Sequence, residues 1–173
     1  NATGTLTATA EGGTITVGAT EGNIVLGSAV TSDQKVDVDA TTGSVTLNGA
    51  VESVNGEVEV TANEAVTTKA AVQAKADVTL FSKNAAVLAK DTVTATSGNV
   101  NVTAQGAVET EKEIYGGTDV TLWSKSATVL ANDTVTAETG EITVNAVTGI
   151  SAAKALNAGT NVTLSSTNGN VND

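Results

Sequence analysis

Cysteine, methionine, proline and histidine are absent from this chain of 173 residues, and its eight basic residues are all lysines. Disulfide frameworks, Cys/His metal sites, thiol or imidazole catalysis and guanidinium forks are thereby excluded together. One Phe, one Trp and one Tyr cannot anchor an ordinary aromatic core, so the buried mass must be Val, Ile, Leu and Ala. Apolar stretches are only a few residues long, far short of the roughly 20 that cross a bilayer, so no membrane span is expected. Nineteen acids against eight lysines give a net charge of -11. Phosphate recognition needs a basic patch, so no nucleic-acid partner is expected either. Asn1 stands where a Met would open a nascent chain, which points to a processed product or a part of something larger, any signal peptide already removed.

What the chain does have is a period. Val or Ile recurs at positions 15, 36, 58, 78, 100, 120, 142 and 162, with gaps of 20 to 22 residues. A second column, Ile24, Val45, Val66, Val87, Val108, Val129, Ile150 and Val171, steps by 21 throughout. A third, Val30, Val51, Val72, Val93, Ile114, Val135 and Leu156, does the same. Three aliphatic columns of one period describe the faces of a coil, and with 40% hydrophobic content they argue against disorder.

Around each column residue the pattern alternates, as in Asp77-Val78-Thr79-Leu80 and Asp119-Val120-Thr121-Leu122. Alternation marks a strand with one buried face, rich here in Val and Thr, which suit a pleated, half-buried surface. Glycines at 12-13, 43, 56, 98, 116-117, 140 and 159 mark corners, where backbone angles that other residues resist are expected. The reading is all-β: a three-faced parallel β-helix (β-solenoid) of about 21 residues per coil and about eight coils. With strands spaced at about 4.8 Å, it is a rod on the order of 40 Å long. Unequal sides and the preference of parallel crossovers favour a right-handed coil.

A longer repeat overlies the coil. Residues 77-118 match 119-160 at a shift of 42, with a degraded third copy at 35-76. One domain, 1-173, therefore contains two-coil units, and the gaps of 20 and 22 imply that one corner gains a residue in every second coil. Residues 1-11 alternate but fall out of register with the columns, as an irregular first coil or a join.

The segments GNVNVTAQGAV, GSVTLNGAV, GEITVNAVTG and GTNVTLSSTNGNV resemble the repeats of filamentous-haemagglutinin-type exoproteins, the β-helical adhesins exported by two-partner secretion. The resemblance runs from about residue 12 to the end. It implies a structural stalk segment of an extracellular bacterial adhesin or matrix fibre, secreted or held at the cell surface. The implied partner is a host or neighbouring-cell surface, carbohydrate among the candidates, and no catalysis is implied. A solenoid lengthens by adding coils, and the lack of Cys and Met suits an oxidising location.

Candidate contact residues follow from the register. Phe81 and Trp123 hold equivalent places in the duplicated unit, and alternation turns both rings outward, roughly 10 Å apart, where they can stack on sugars or anchor a partner. The alternative is that they pack over a corner and cover the stems of Lys83 and Lys125. Leu88 and Leu130, also 42 apart, face outward on the second face unless the register slips, and would form an apolar stripe for lateral contact. On the third face the pairs Thr92/Thr94 and Thr134/Thr136 resemble an ice-binding array, but Glu113/Tyr115 interrupts them, leaving an ice-binding solenoid as the third reading and the outward Tyr115 as a further candidate surface contact. Asp37, Asp39, Glu57 and Glu59 are the best acidic candidates for Ca²⁺, against the alternative of a solvated acidic face; no other cofactor is expected. Val162, Leu164 and Val171 would present the last coil to another copy, making a homo-polymer, a self-assembling filament stacked end to end, the second functional reading.

Overall fold

The structure, a computed structural model, describes residues 6–8 and 11–172, with side chains from residue 11 onward. All its regular elements are strands, and they form three parallel sheets of eight. Successive strands of each sheet are one coil apart, so the chain climbs through the three faces in turn, a β-solenoid of about eight turns.

The columns are the ladder registers. On face one Ile15 pairs with Val36, Val36 with Val58, and so on to Ile142 with Val162. Face two aligns Ile24 with Val45 through to Ile150 with Val171, and face three aligns Val30 with Val51 through to Val135 with Leu156. Leu6–Ala8 adds a strand to face three opposite Val30–Ser32, a step of 24 residues where the rest of that face steps by 21. The remainder of residues 1–10 and Asp173 lie outside the described residues.

Inward residues are graded by size because the sheets converge at the corners. Face one points a large, a large and a small side chain inward, as in Val78, Leu80 and Ser82, then Val100, Val102 and Ala104, all fully buried. Face three, and face two from Val66 onward, point in one large and one small side chain, as in Val93 with Ala95 and Val87 with Ala89. The first two strands of face two point in two large ones, Ile24 with Leu26 and Val45 with Leu47. The largest fully buried side chains are Leu and Ile, including Leu80, Leu122, Ile114 and Ile142. A bore filled this way has no room for aromatic rings, which accounts for their scarcity.

The registers refine the two-coil repeat. From face two to face three the column residues are always 6 apart. From face three to face one the leg alternates between 6 and 7 residues, and from face one to face two it alternates, from Val36 onward, between 9 and 8. The residue gained at one corner is given back at the next, so two columns keep a step of 21 while the first alternates.

Each irregular corner has its own device. Gly56, Gly98 and Gly140, spaced by 42, sit in the seven-residue legs. A Cβ there would lie 1.6 Å from the Gln34 carbonyl oxygen, 2.5 Å from the Ala76 carbonyl carbon and 2.0 Å from Asp119 Oδ1, respectively. These glycines permit close approach of the preceding coil. The expectation that corner glycines serve unusual backbone angles is corrected for most of them: among the described residues only Gly12, Gly22 and Gly149 have positive φ. In the nine-residue legs that start at Val78 and Val120 a serine closes the corner, as Ser53 also does beside Gly56. Buried Ser82 Oγ accepts from the Ala85 N–H at 3.1 Å and donates to the Glu64 carbonyl at 2.6 Å. Ser124 repeats this with the Ala127 N–H at 3.0 Å and the Gly106 carbonyl at 2.8 Å.

Candidate functional site

Face one divides along its length into two chemically different halves. Its early strands Lys35–Ala40 and Glu57–Ala62 turn Asp37, Asp39, Glu57 and Glu59 outward. Asp37 and Glu59 are direct cross-strand neighbours, a repulsive placement. Lys35 relieves it, its Nζ 2.9 Å from Glu57 and 2.7 Å from Glu59. Hydrogen bonds to those two carboxylates hold the ammonium well above the usual lysine range. Asp39 accepts from Thr41 Oγ1 at 3.2 Å. Three of the four candidate Ca²⁺ ligands, Glu57, Glu59 and Asp39, are thus engaged with a lysine or a hydroxyl, and among the described residues no group of three or more His, Cys, Asp or Glu is arranged to hold a metal.

The later strands, Val78–Ser82, Val100–Ala104, Val120–Ser124, Ile142–Ala146 and Val162–Ser166, contain no acid at all. Phe81, Thr103 and Trp123 occupy one outward row, with Thr103 the direct neighbour of both rings. Trp123 is 44% exposed and Phe81 half-buried. Lys125, at the corner beyond Trp123, turns back so that its Nζ lies 5.5 Å from the Phe81 centroid and 5.3 Å from that of Trp123. An ammonium shared by two ring faces is a cation–π arrangement. A shallow cleft of about 180 Å³ beside Phe81 is bounded by Asp39, Thr61, Asn63 and Lys83. Both rings lie on the outer face that alternation assigns them, and of the two lysines named in the alternative reading it is Lys125 that reaches both.

The other candidates stay apart from this row. Tyr115, on face three, donates its hydroxyl to Glu138, and that bond raises its pKa above the ordinary value. Leu88 and Leu130 are outward and half-buried on face two, so the register does not slip. Glu109 pairs between them, so a continuous apolar stripe is not formed. On the last coil Val162 is 44% and Val171 41% exposed, with Leu164 partly buried. Two features went unread in the sequence: the acid-free block, visible there as five strands without Asp or Glu, and the shared lysine, whose reach across two coils no spacing rule conveys.

Comparisons with protein-family models, with curated proteins and with solved structures find no match for the chain. Its resemblance to haemagglutinin-type repeats therefore rests on the repeat motifs alone.

Proposed function

We propose that the chain is a structural, non-catalytic segment of an extracellular bacterial adhesin or matrix fibre, secreted or displayed at the cell surface. The observation that carries this reading is the economy of the coil. Legs of six to nine residues join the column positions from Ile15 to Val171, without the long insertions that would build a groove over the rod. Every interior layer is aliphatic or small. Such a body adds length at constant cost per coil, and its net charge of -11 keeps neighbouring rods apart in solution. Immunogold labelling of the source cells with an antibody to this segment tests the reading. Label on fibres or at the cell periphery is expected; label confined to the cell interior would overturn it.

A second reading, assembly of copies end to end, is favoured by the exposed Val162 and Val171 on the last described coil. Any further coil, of this chain or another, would cover them. Negative-stain microscopy over a concentration series, with Val171→Lys beside the wild type, decides it. Filaments lost in the variant support assembly; single rods in both exclude it.

A further inference from the structure

Asn-Gly occurs three times in the chain, at 48–49, 55–56 and 168–169, each time at a corner between strands. In this dipeptide the glycine nitrogen, with no side chain beside it to hinder approach, can attack the asparagine side-chain carbonyl, the first step of spontaneous deamidation. The three corners hold the pair differently. Asn55 Nδ2 donates to Asp33 Oδ1 at 2.7 Å, and the attacking group, the Gly56 N–H, donates to the buried Ser53 Oγ at 3.2 Å. The Gly169 N–H is engaged in the same way by Ser166 Oγ at 3.2 Å. At Asn48 only the residue's own N–H is fixed, on the Leu26 carbonyl at 2.9 Å. Its side chain is exposed, and among the described residues neither that side chain nor the Gly49 N–H has a hydrogen-bond partner.

The consequences of a new carboxylate differ as well. Asn48, Lys69, Lys90 and Glu111 each follow the last residue of successive face-two strands that pair in register, so the four form one row along the rod. Lys90 pairs with Glu111 at 3.1 Å. Lys69 has no ion pair among the described residues, and a carboxylate at 48 would stand beside it, giving each lysine of the row its own acid. A carboxylate at 55 would meet that of Asp33 at the place of the present hydrogen bond, a repulsive contact.

We propose that Asn48 is the deamidation site of the folded chain, converted without an enzyme to aspartate or isoaspartate, and that the hydrogen bonds of Asn55 and Gly56 protect the neighbouring pair. The Gly49 nitrogen bonds to Asn48 Cγ, the Cγ–Nδ2 bond breaks, and the amide nitrogen leaves as ammonia with the proton that Gly49 gave up. Water then opens the cyclic imide at either carbonyl. The net change is one amide exchanged for one carboxylate, which makes the charge of -11 one unit more negative. Reaching the same ring at Asn55 requires two hydrogen bonds to be released first, each worth a factor of about five. The proposal does not depend on the stalk reading.

Peptide mapping by mass spectrometry tests it on the full chain, aged in mildly alkaline buffer either folded or in urea sufficient to unfold it by circular dichroism. Lys35 and Lys69 flank both asparagines with no lysine or arginine between, so one tryptic fragment carries the two and its fragmentation separates them. In the folded chain Asn48 is expected to gain one mass unit at least about tenfold faster than Asn55. In urea the two rates should converge. Asn48→Asp should melt no lower than the wild type, whereas Asn55→Asp should melt lower. Equal rates in the folded chain, a difference that persists in urea, or an Asn48→Asp variant as destabilised as Asn55→Asp would each overturn the proposal.

Discussion

Ser124 and Thr110 lie in adjoining coils, and both are fully buried. Their hydroxyls have opposite circumstances, so their removal should have opposite effects. Ser124 Oγ donates to the Gly106 carbonyl and accepts from the Ala127 N–H. Ser124→Ala leaves both backbone groups short of a partner, at about 1 kcal/mol per bond and about 2 kcal/mol together. Thr110 Oγ1 has no hydrogen-bond partner among the described residues, as is true of Thr68 one repeat earlier. Leaving a buried hydroxyl unpaired costs about 1–3 kcal/mol, and Thr110→Val removes that cost while adding a buried methyl. A gain of about 1–2 kcal/mol follows, for a difference of about 3–4 kcal/mol between the variants. Urea unfolding reads it, with midpoints separated by about 1.5–2 M for a slope of about 2 kcal/mol/M. Coils can open in sequence in a solenoid, so the fluorescence of Trp123, the chain's single tryptophan, should be followed beside circular dichroism. Loss of stability in Thr110→Val, or none in Ser124→Ala, would refute the reasoning.

Glycine substitutions separate close approach from mere flexibility. Gly56→Ala drives a methyl into the Gln34 backbone and should cost about 1–3 kcal/mol, whereas Gly18→Ala, on an open strand face with nothing within 4 Å, should gain about 0.5–1 kcal/mol; equal melting temperatures would contradict both. Asp33 is held below the usual 3.8 by the Asn55 amide and the Gly12 N–H, and Asp133 by Lys154 and the Thr134 N–H. Because their folded pKa values are depressed, the stability they contribute is complete above the unfolded value and lost as pH falls through the folded one. Carboxyl-carbon NMR should show both titrating below 3.8, and titration at or above that value would disprove the contacts. Lys35→Gln should lower stability by under about 1 kcal/mol, since its partners are largely exposed, with a loss that shrinks as salt is added; a salt-independent melting point would count against the Lys35 clamp.

The columns were readable in the sequence because a one-face-buried strand must place an aliphatic residue at the same point of every coil. Ile24 to Val171 and Val30 to Leu156 needed only counting, and the ladders follow that count. The strand at Leu6 was not readable, because its step of 24 matches no other on that face. Corner chemistry was half legible. The glycines at 56, 98 and 140 were visible as breakers, but their reason lies in the coil beneath, which a linear pattern does not display. Of the candidate contacts, the outward direction of Phe81, Trp123, Leu88 and Leu130 follows from parity. That Glu109 parts the leucines and that Lys125 spans the rings depends on what stacks above and below.

The borrowing of one residue between adjacent corners sets the increment by which such a rod can grow. Inserting 42 residues carries the alternation through unchanged, with each seven-residue corner seated on a six-residue one. Inserting 21 brings two corners of the same kind into contact. That juxtaposition occurs once already, between the coils of Ile15 and Val36, which both take nine-residue legs. Duplication in pairs thus preserves phase, while the N-terminal end marks where the lineage of repeats tolerates a break in step.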